Sequence, residues 1–307
     1  MAQPGPAWSC LVLSLALSMV RAVPLRAQDK ARPPAGQTRT YYVAADELNW
    51  NYAPAGRDEA MGMPFDDISK LYTQPGPHRI GSVYKKAVYR EYTDATFSKL
   101  KQRPPDQQYL GLLGPILRGE VGDTIKIVFK NNTSHPYSMH PHGVLYQKDS
   151  EGADYNDGTS GGDKADGGVP PGKTHIYVRQ IPERAGPGSN DPSSDFWLYH
   201  SHTDELRDIA SGLFGVIVVT KRDTALPDGR PKYVNHEFVS MFIDLNENES
   251  WYLEENIRAH TTDPKSVDRT QVSLITPGAW LEPLRGRASW TQILNGLSMA
   301  RYTESCR

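Results

Sequence analysis

The chain has 307 residues, with 34 Lys and Arg against 36 Asp and Glu, a net charge of -2 and 38% hydrophobic residues. That length buries a substantial core in one or two domains, and a balanced charge without a basic patch argues against a nucleic-acid partner. The only cysteines are Cys10 and Cys306, so the fold must stand on apolar packing rather than on a disulfide framework.

An apolar run from Trp8 to Val20 leads into Val20-Arg21-Ala22, which reads as a signal peptide over 1–22, with a second candidate cut after Ala27. The run is too short to span a bilayer, and no later segment is long and apolar enough to do so. The expectation is therefore a secreted chain without a membrane span. A Pro-, Ala- and Arg-rich linker covers 23–38. Strand-like runs then follow at Arg39 to Asn51, Ser82 to Glu91, Thr124 to Phe129, Tyr137 to Tyr146, Thr174 to Gln180, Phe196 to His200, Leu213 to Thr220 and Glu237 to Ile243.

Turn chemistry separates these runs: Gly122-Asp123 precedes one, and Pro170-Pro171-Gly172 precedes another. Helical signals are sparse, the best being Ser250 to Ala259. The pattern predicts an all-β sandwich over 39–223 and a second that begins near Tyr233. The acidic, Gly-rich stretch from Ser150 to Gly168 reads as a long functional loop. The overlapping Asn131-Asn132-Thr133 and Asn132-Thr133-Ser134, with Asn248-Glu249-Ser250, fit the acceptor pattern for N-glycosylation.

Two histidine couplets stand out, His140-Pro141-His142-Gly143 and His200-Ser201-His202. Residues two apart on a strand share a face, with Cα atoms about 6.5 Å apart from a rise of roughly 3.3 Å per residue. Neutral imidazole is a preferred ligand of copper and zinc, and this spacing suits neighbouring ions shared between two strands. A single such couplet is more often an accident than a ligand pair. His78, His135, His175, His236 and His260 lie outside the couplets and read as ordinary surface or loop residues.

The surrounding motifs carry a resemblance. Asp46-Glu47-Leu48-Asn49-Trp50, Arg79-Ile80-Gly81-Ser82-Val83-Tyr84-Lys85-Lys86-Ala87, Leu112-Leu113-Gly114-Pro115-Ile116, the two couplets, Asp208-Ile209-Ala210-Ser211-Gly212-Leu213 and Ser250-Trp251-Tyr252-Leu253 resemble the ceruloplasmin and hephaestin branch of the multicopper oxidases. The resemblance runs from Tyr41 to Asp268, dissolves after about Val272, and implies a cupredoxin-like Greek-key β-sandwich followed by an incomplete second one at 233–272 and an atypical tail over 273–307. It also implies half of a trinuclear copper site that reduces dioxygen, with His140 as the type 2 ligand and His142, His200 and His202 as type 3 ligands. Fe2+ or another reductant would be the electron source.

In related A-type domains, including those of the coagulation factors, a loop matching the Lys148 carbonyl, Glu151, Asp157, Asp163 and Asp166 binds Ca2+, so a calcium site is expected here as a candidate, against the alternative of a metal-free acidic turn. The resemblance further implies cysteines where this chain has Ser194 and Thr220, which reads as loss of a whole disulfide. No His-Cys-His and no His-X-X-His-X-His occur, so neither the type 1 copper nor the other half of the cluster can come from this sequence. The expectation is the N-terminal portion of a secreted ferroxidase-like multicopper oxidase, inactive as an oxidase by itself. The alternative is a non-catalytic copper-binding or protein-interaction module like the coagulation-factor A domains.

Overall fold

The computed structural model describes residues 36–267 and 292–293; the expected leader at 1–22, nearly all of the 23–38 linker and, apart from 292–293, the 273–307 tail lie outside the described residues. Nine strands carry the fold. They are β1 (Thr38–Asn51), β2 (Val83–Tyr92), β3 (Leu117–Glu120), β4 (Thr124–Asn131), β5 (His140–Pro141), β6 (Leu145–Tyr146), β7 (Thr174–Gln180), β8 (Ser194–His200) and β9 (Phe214–Thr220). One sheet has the order β2-β1-β4-β7-β6 and the other β3-β9-β8-β5. Pairing is mixed, with β1 parallel to β4 and β9 parallel to β3, while β1–β2 and β8–β9 are antiparallel. This is the expected all-β, cupredoxin-like sandwich.

The side-chain pattern explains the layering. In β4, Ile125, Ile127 and Phe129 alternate with more exposed residues, as a strand with one wet face requires. Their buried faces meet Val43 and Ala45 of β1, Tyr177 of β7, and Ile217 and Val219 of β9 in the core between the sheets. Every residue of β9 is buried. Its other side, Phe214, Val216 and Val218, packs with Leu110, Leu112, Val239 and Leu245 outside the sandwich.

Most strand expectations agree with the structure to within a residue or two, two differ for physical reasons, and one strand is additional. The run Tyr137 to Tyr146 breaks into β5 and β6, because Gly143 turns between them at φ +76°. Glu237 to Ile243 is not a strand: Val239 is buried, with Met241 and Ile243 packed on the same cluster, while Phe238 and Phe242 are exposed, so the alternation is present without a backbone partner among the described residues. Strand pairing resumes at Leu245–Asn246, against Gln292–Ile293. Strand β3 was not expected from the sequence, since a four-residue run containing Arg118 and Gly119 gives little apolar signal.

Among the described residues three short α-helices lie outside the sheets: α1 (Asp67–Thr73), α2 (Glu205–Ser211) and α3 (Leu253–His260), the last close to its expected place. Asp204 caps α2 by accepting from the Arg207 amide, and Gly212 ends it at φ +118°. No described helix is long and apolar enough to cross a membrane.

The segment after the sandwich is held to it by charge as well as by packing. The Lys86 ammonium, fully buried, donates to the Glu247 carboxylate at 2.5 Å and to the Ala210 carbonyl at 2.6 Å, and the Tyr52 hydroxyl also donates to Glu247. Glu47 of β1 accepts from the Ser134 amide at 2.8 Å, the Ser134 hydroxyl at 2.6 Å and the Tyr252 hydroxyl at 3.1 Å, and pairs with Lys85 at 2.7 Å. Ser194 and Thr220 face each other in register across β8 and β9, so the two positions where the resemblance implies cysteines are cross-strand partners.

Breaking the buried pair from one side leaves a charge without compensation. Lys86→Met should cost about 3–5 kcal/mol of unfolding free energy, and Lys86→Met with Glu247→Leu should recover most of it, as read by urea denaturation. Burial alone would raise the Glu47 carboxyl, but its bonds to Lys85, Ser134 and Tyr252 outweigh that and bring it to about 2. A carboxyl depressed in the fold stabilises it above the unfolded value of about 4.3, and the contribution is lost as pH falls towards 2. Thermal melts across that interval should show a steeper acid loss for the native chain than for Glu47→Gln.

Candidate metal centre

The two histidine couplets meet at the edge of the second sheet. In the β5–β8 ladder His140 stands opposite His200 and Pro141 opposite Tyr199, and the His142 amide donates to the Leu198 carbonyl at 2.8 Å. Ring centroids are 5.4 Å apart for His140–His142, 5.6 Å for His140–His200, 5.0 Å for His140–His202, 5.2 Å for His142–His200 and 5.5 Å for His200–His202. His140 therefore neighbours each of the other three. His140 and His200 are buried, His202 is half-buried and His142 is exposed, so the patch opens to solvent on one side.

Local backbone geometry fixes this meeting. A Cβ on Gly143 would lie 2.1 Å from the Trp197 indole, and the residue's φ of +76° is one that L side chains rarely adopt. Glycine thus lets the chain turn after His142 and lets β5 lie close to β8. In the second couplet, Ser201 points away from the histidines. Its hydroxyl donates to Asp208 at 2.6 Å and accepts from the Ser138 amide at 3.0 Å, while the Ser138 hydroxyl accepts from the His202 amide at 2.9 Å.

Asp208 is fully buried at the centre of that network. Its Oδ2 also accepts from the Thr203 and Asp204 amides at 3.0 and 3.1 Å, and its Oδ1 accepts from the Trp251 indole at 2.9 Å. Burial raises its carboxyl above the usual range, against the lowering effect of these bonds.

Ring orientation and protonation suit a soft or borderline metal. His140 Nδ1 lies 2.8 Å from the Glu151 carbonyl and His200 Nδ1 lies 2.9 Å from the Ser201 carbonyl, contacts that assign the proton to Nδ1 and leave Nε2 as the free donor atom. Burial pushes His140 down to about 4 and lowers His200, which keeps both imidazoles neutral at physiological pH, as ligands must be. His142 and His200 approach through their Nε2 atoms at 3.0 Å. Among the described residues no three His, Cys, Asp or Glu side chains converge on a single ion site. The four rings adjoin one another in pairs, and their donor chemistry fits copper.

The expected calcium loop is not supported. The ammonium of Lys148 lies between two of the expected ligands, 2.6 Å from Glu151 and 2.7 Å from Asp157, and its bond to Asp157 holds that carboxyl well below the usual range. The Lys148 carbonyl, expected as a ligand, accepts from the Glu151 amide at 3.4 Å, and Asp163 is exposed. Asp166 is buried, with Oδ2 accepting from the Gly152 amide at 2.6 Å. The loop's role in the geometry is to present the Glu151 carbonyl to His140.

The structure adds residues that sequence reasoning missed. Glu205, in the first turn of α2, has carboxylate oxygens 3.7 Å from His200 Nε2 and 3.4 Å from His202 Nε2; its place three residues after His202 was the available signal. Arg179 is fully buried and donates through Nη2 to the Met139 carbonyl, immediately before His140, while its Nε and Nη1 have no hydrogen-bond partner among the described residues. Nothing in an alternating β-strand pattern marks such an arginine. His135 is not an ordinary loop residue: it is half-buried and stacks on Trp251 with centroids 5.0 Å apart.

A cupredoxin-like sandwich with paired His-X-His strands at one sheet edge is the architecture of a multicopper oxidase domain, and residues 108–224 belong to that family, matching its "Multicopper oxidase" model. Over 235 residues the chain is 51% identical to human Ferroxidase HEPHL1, covering 76% of this chain and 20% of that protein. It is 46% identical to mouse hephaestin over 241 residues, covering 77% and 21%, and 40% identical to human ceruloplasmin over 237 residues, covering 77% and 22%. The chain thus spans about a fifth of the length of these relatives.

Asp208→Ala should unfold the chain more easily by about 2–4 kcal/mol, since two amides, a hydroxyl and an indole lose one buried acceptor. Trp251→Phe, which removes a single donor, should cost closer to 1 kcal/mol in the same denaturation assay.

Proposed function

We propose that this chain is the N-terminal portion of a secreted, ferroxidase-like multicopper oxidase and supplies half of its trinuclear copper site. One observation carries the reading: four imidazoles, from two adjacent strands and the residues just past them, adjoin within 5.0 to 5.6 Å, with His140 against all three others. An exposed His142 supports a site open to a second set of ligands.

In this reading His140 serves a type 2 copper, and His142, His200 and His202 serve a type 3 pair. Copper, when bound, would cycle between Cu(II) and Cu(I) to pass electrons from Fe2+ or another reductant to dioxygen. The chain's own residues would prepare that site. The Glu151 and Ser201 carbonyls hold Nδ1 of His140 and His200, so each Nε2 is aimed and unprotonated. Burial keeps these two rings neutral, and the Asp208 network fixes the height of the second couplet against the first. Without a His-Cys-His in the sequence, electrons would enter through a type 1 copper outside this chain.

The test is copper loading of the purified full chain followed by metal analysis after gel filtration. The native chain should retain copper, His140→Ala and His200→Ala should lose at least about tenfold in affinity, a penalty that even outer-shell changes reach, and the exposed His236→Ala should be unaffected. Equal retention by native chain and His200→Ala would overturn the assignment. None of the variants, nor the native chain, should oxidise Fe2+ alone.

A further inference from the structure

The overlapping acceptor triplets at 131–134 present two asparagines that sequence ranks equally, and the fold separates them completely. Asn131, at the end of β4, has no exposed surface. Its Nδ2 donates to the His135 carbonyl at 2.6 Å and to the Val169 carbonyl at 2.8 Å, and its Oδ1 accepts from the Thr133 amide at 2.9 Å and the Thr133 hydroxyl at 2.6 Å. Both amide hydrogens and the amide oxygen are therefore committed to closing the turn into β5. A sugar on that nitrogen would replace one buried bond and require space where no surface exists, leaving a carbonyl unpaired.

Asn132 is the opposite case. Its side chain is exposed, and Nδ2 makes one bond, to Asp46 Oδ1 at 2.8 Å, which leaves the second amide hydrogen outside any bond among the described residues. The serine two positions on, Ser134, is exposed as well, whereas Thr133, the corresponding hydroxyl for Asn131, is buried. The main chain is anchored on either side by the Asn132 amide donating to the Ala45 carbonyl at 2.9 Å and by Ser134 bonded to Glu47.

We propose that Asn132 is a site of N-linked glycosylation and that Asn131 is not. The donor is an oligosaccharide on a lipid pyrophosphate. The Asn132 Nδ2 forms a bond to the anomeric carbon, the bond from that carbon to the pyrophosphate oxygen breaks, and one amide proton leaves with the released lipid pyrophosphate; no electron transfer is involved. The remaining Nδ2 hydrogen keeps the bond to Asp46, so the product is compatible with the fold described. The proposal rests on entry of the chain into the secretory route, which belongs to the functional reading above.

The experiment expresses the full chain in a mammalian secretory host, once behind its own leader and once behind a host leader. Glycans are released by peptide N-glycosidase in 18O water, and the peptides are mapped by mass spectrometry. The expected result is an 18O-labelled aspartate at position 132 and none at 131, with Ser134→Ala abolishing the label. Asn248, half-buried with Nδ2 bonded to Asn246 Oδ1 at 3.1 Å, falls at a distant position and is read separately. Label at 131, or a host-led chain in the lumen without label at 132, would overturn the proposal. Label at 132 behind the host leader alone would support the site while removing the secretory reading of the chain's own N-terminus.

Discussion

Side chains on an extended strand alternate between two faces, and the histidine patch depends on that constraint. His140 in β5 and His142 two residues on, with His200 at the end of β8 and His202 two residues on, bring their rings to one patch, and the β5–β8 ladder places His140 directly against His200. A shift of one residue in that pairing would turn a couplet away and put its intervening residue in its place. Register is therefore the property the fold must protect. It does so with the glycine that seats Trp197 at the β5 turn and with the Ser201–Asp208 contact on the far side of β8.

The protection is indirect. Asp208 touches no imidazole in the network described, yet it joins the second couplet to α2 and to Trp251 of the segment after the sandwich. That segment is held in turn by the Lys86–Glu247 pair and by the bond from Tyr252 to Glu47. Bonds spanning much of the chain thus converge behind a patch whose ligand atoms come from two short stretches.

Much of this was legible in the sequence, where local pattern and tertiary role coincide. Strands such as β1, β4 and β7 have the length and alternation that mark a half-buried strand, and the couplets sit in a context of family motifs. The misses have specific causes. Alternation in Glu237 to Ile243 records burial of one side, which a packed extended segment satisfies as well as a paired strand does. For the calcium loop, the sequence counted Lys148 through its carbonyl and could not show its ammonium bonded to Glu151 and Asp157. Glu205 and Arg179 reach the patch through chain folding, which no local pattern encodes.

The opposite orientations of Ser201 and its two flanking histidines bear on how copies of such a domain diverge. The serine is tied into the buried network that sets backbone position, while the histidines project to a patch open on one side. Structural load and ligand duty thus fall on alternate residues of one tripeptide. A duplicated domain could exchange its histidines for other side chains and keep the sandwich, so long as the middle residue and its aspartate persisted. In an ancestry built from repeated domains, retention of the serine–aspartate pair would record descent, and retention of the flanking histidines would record use.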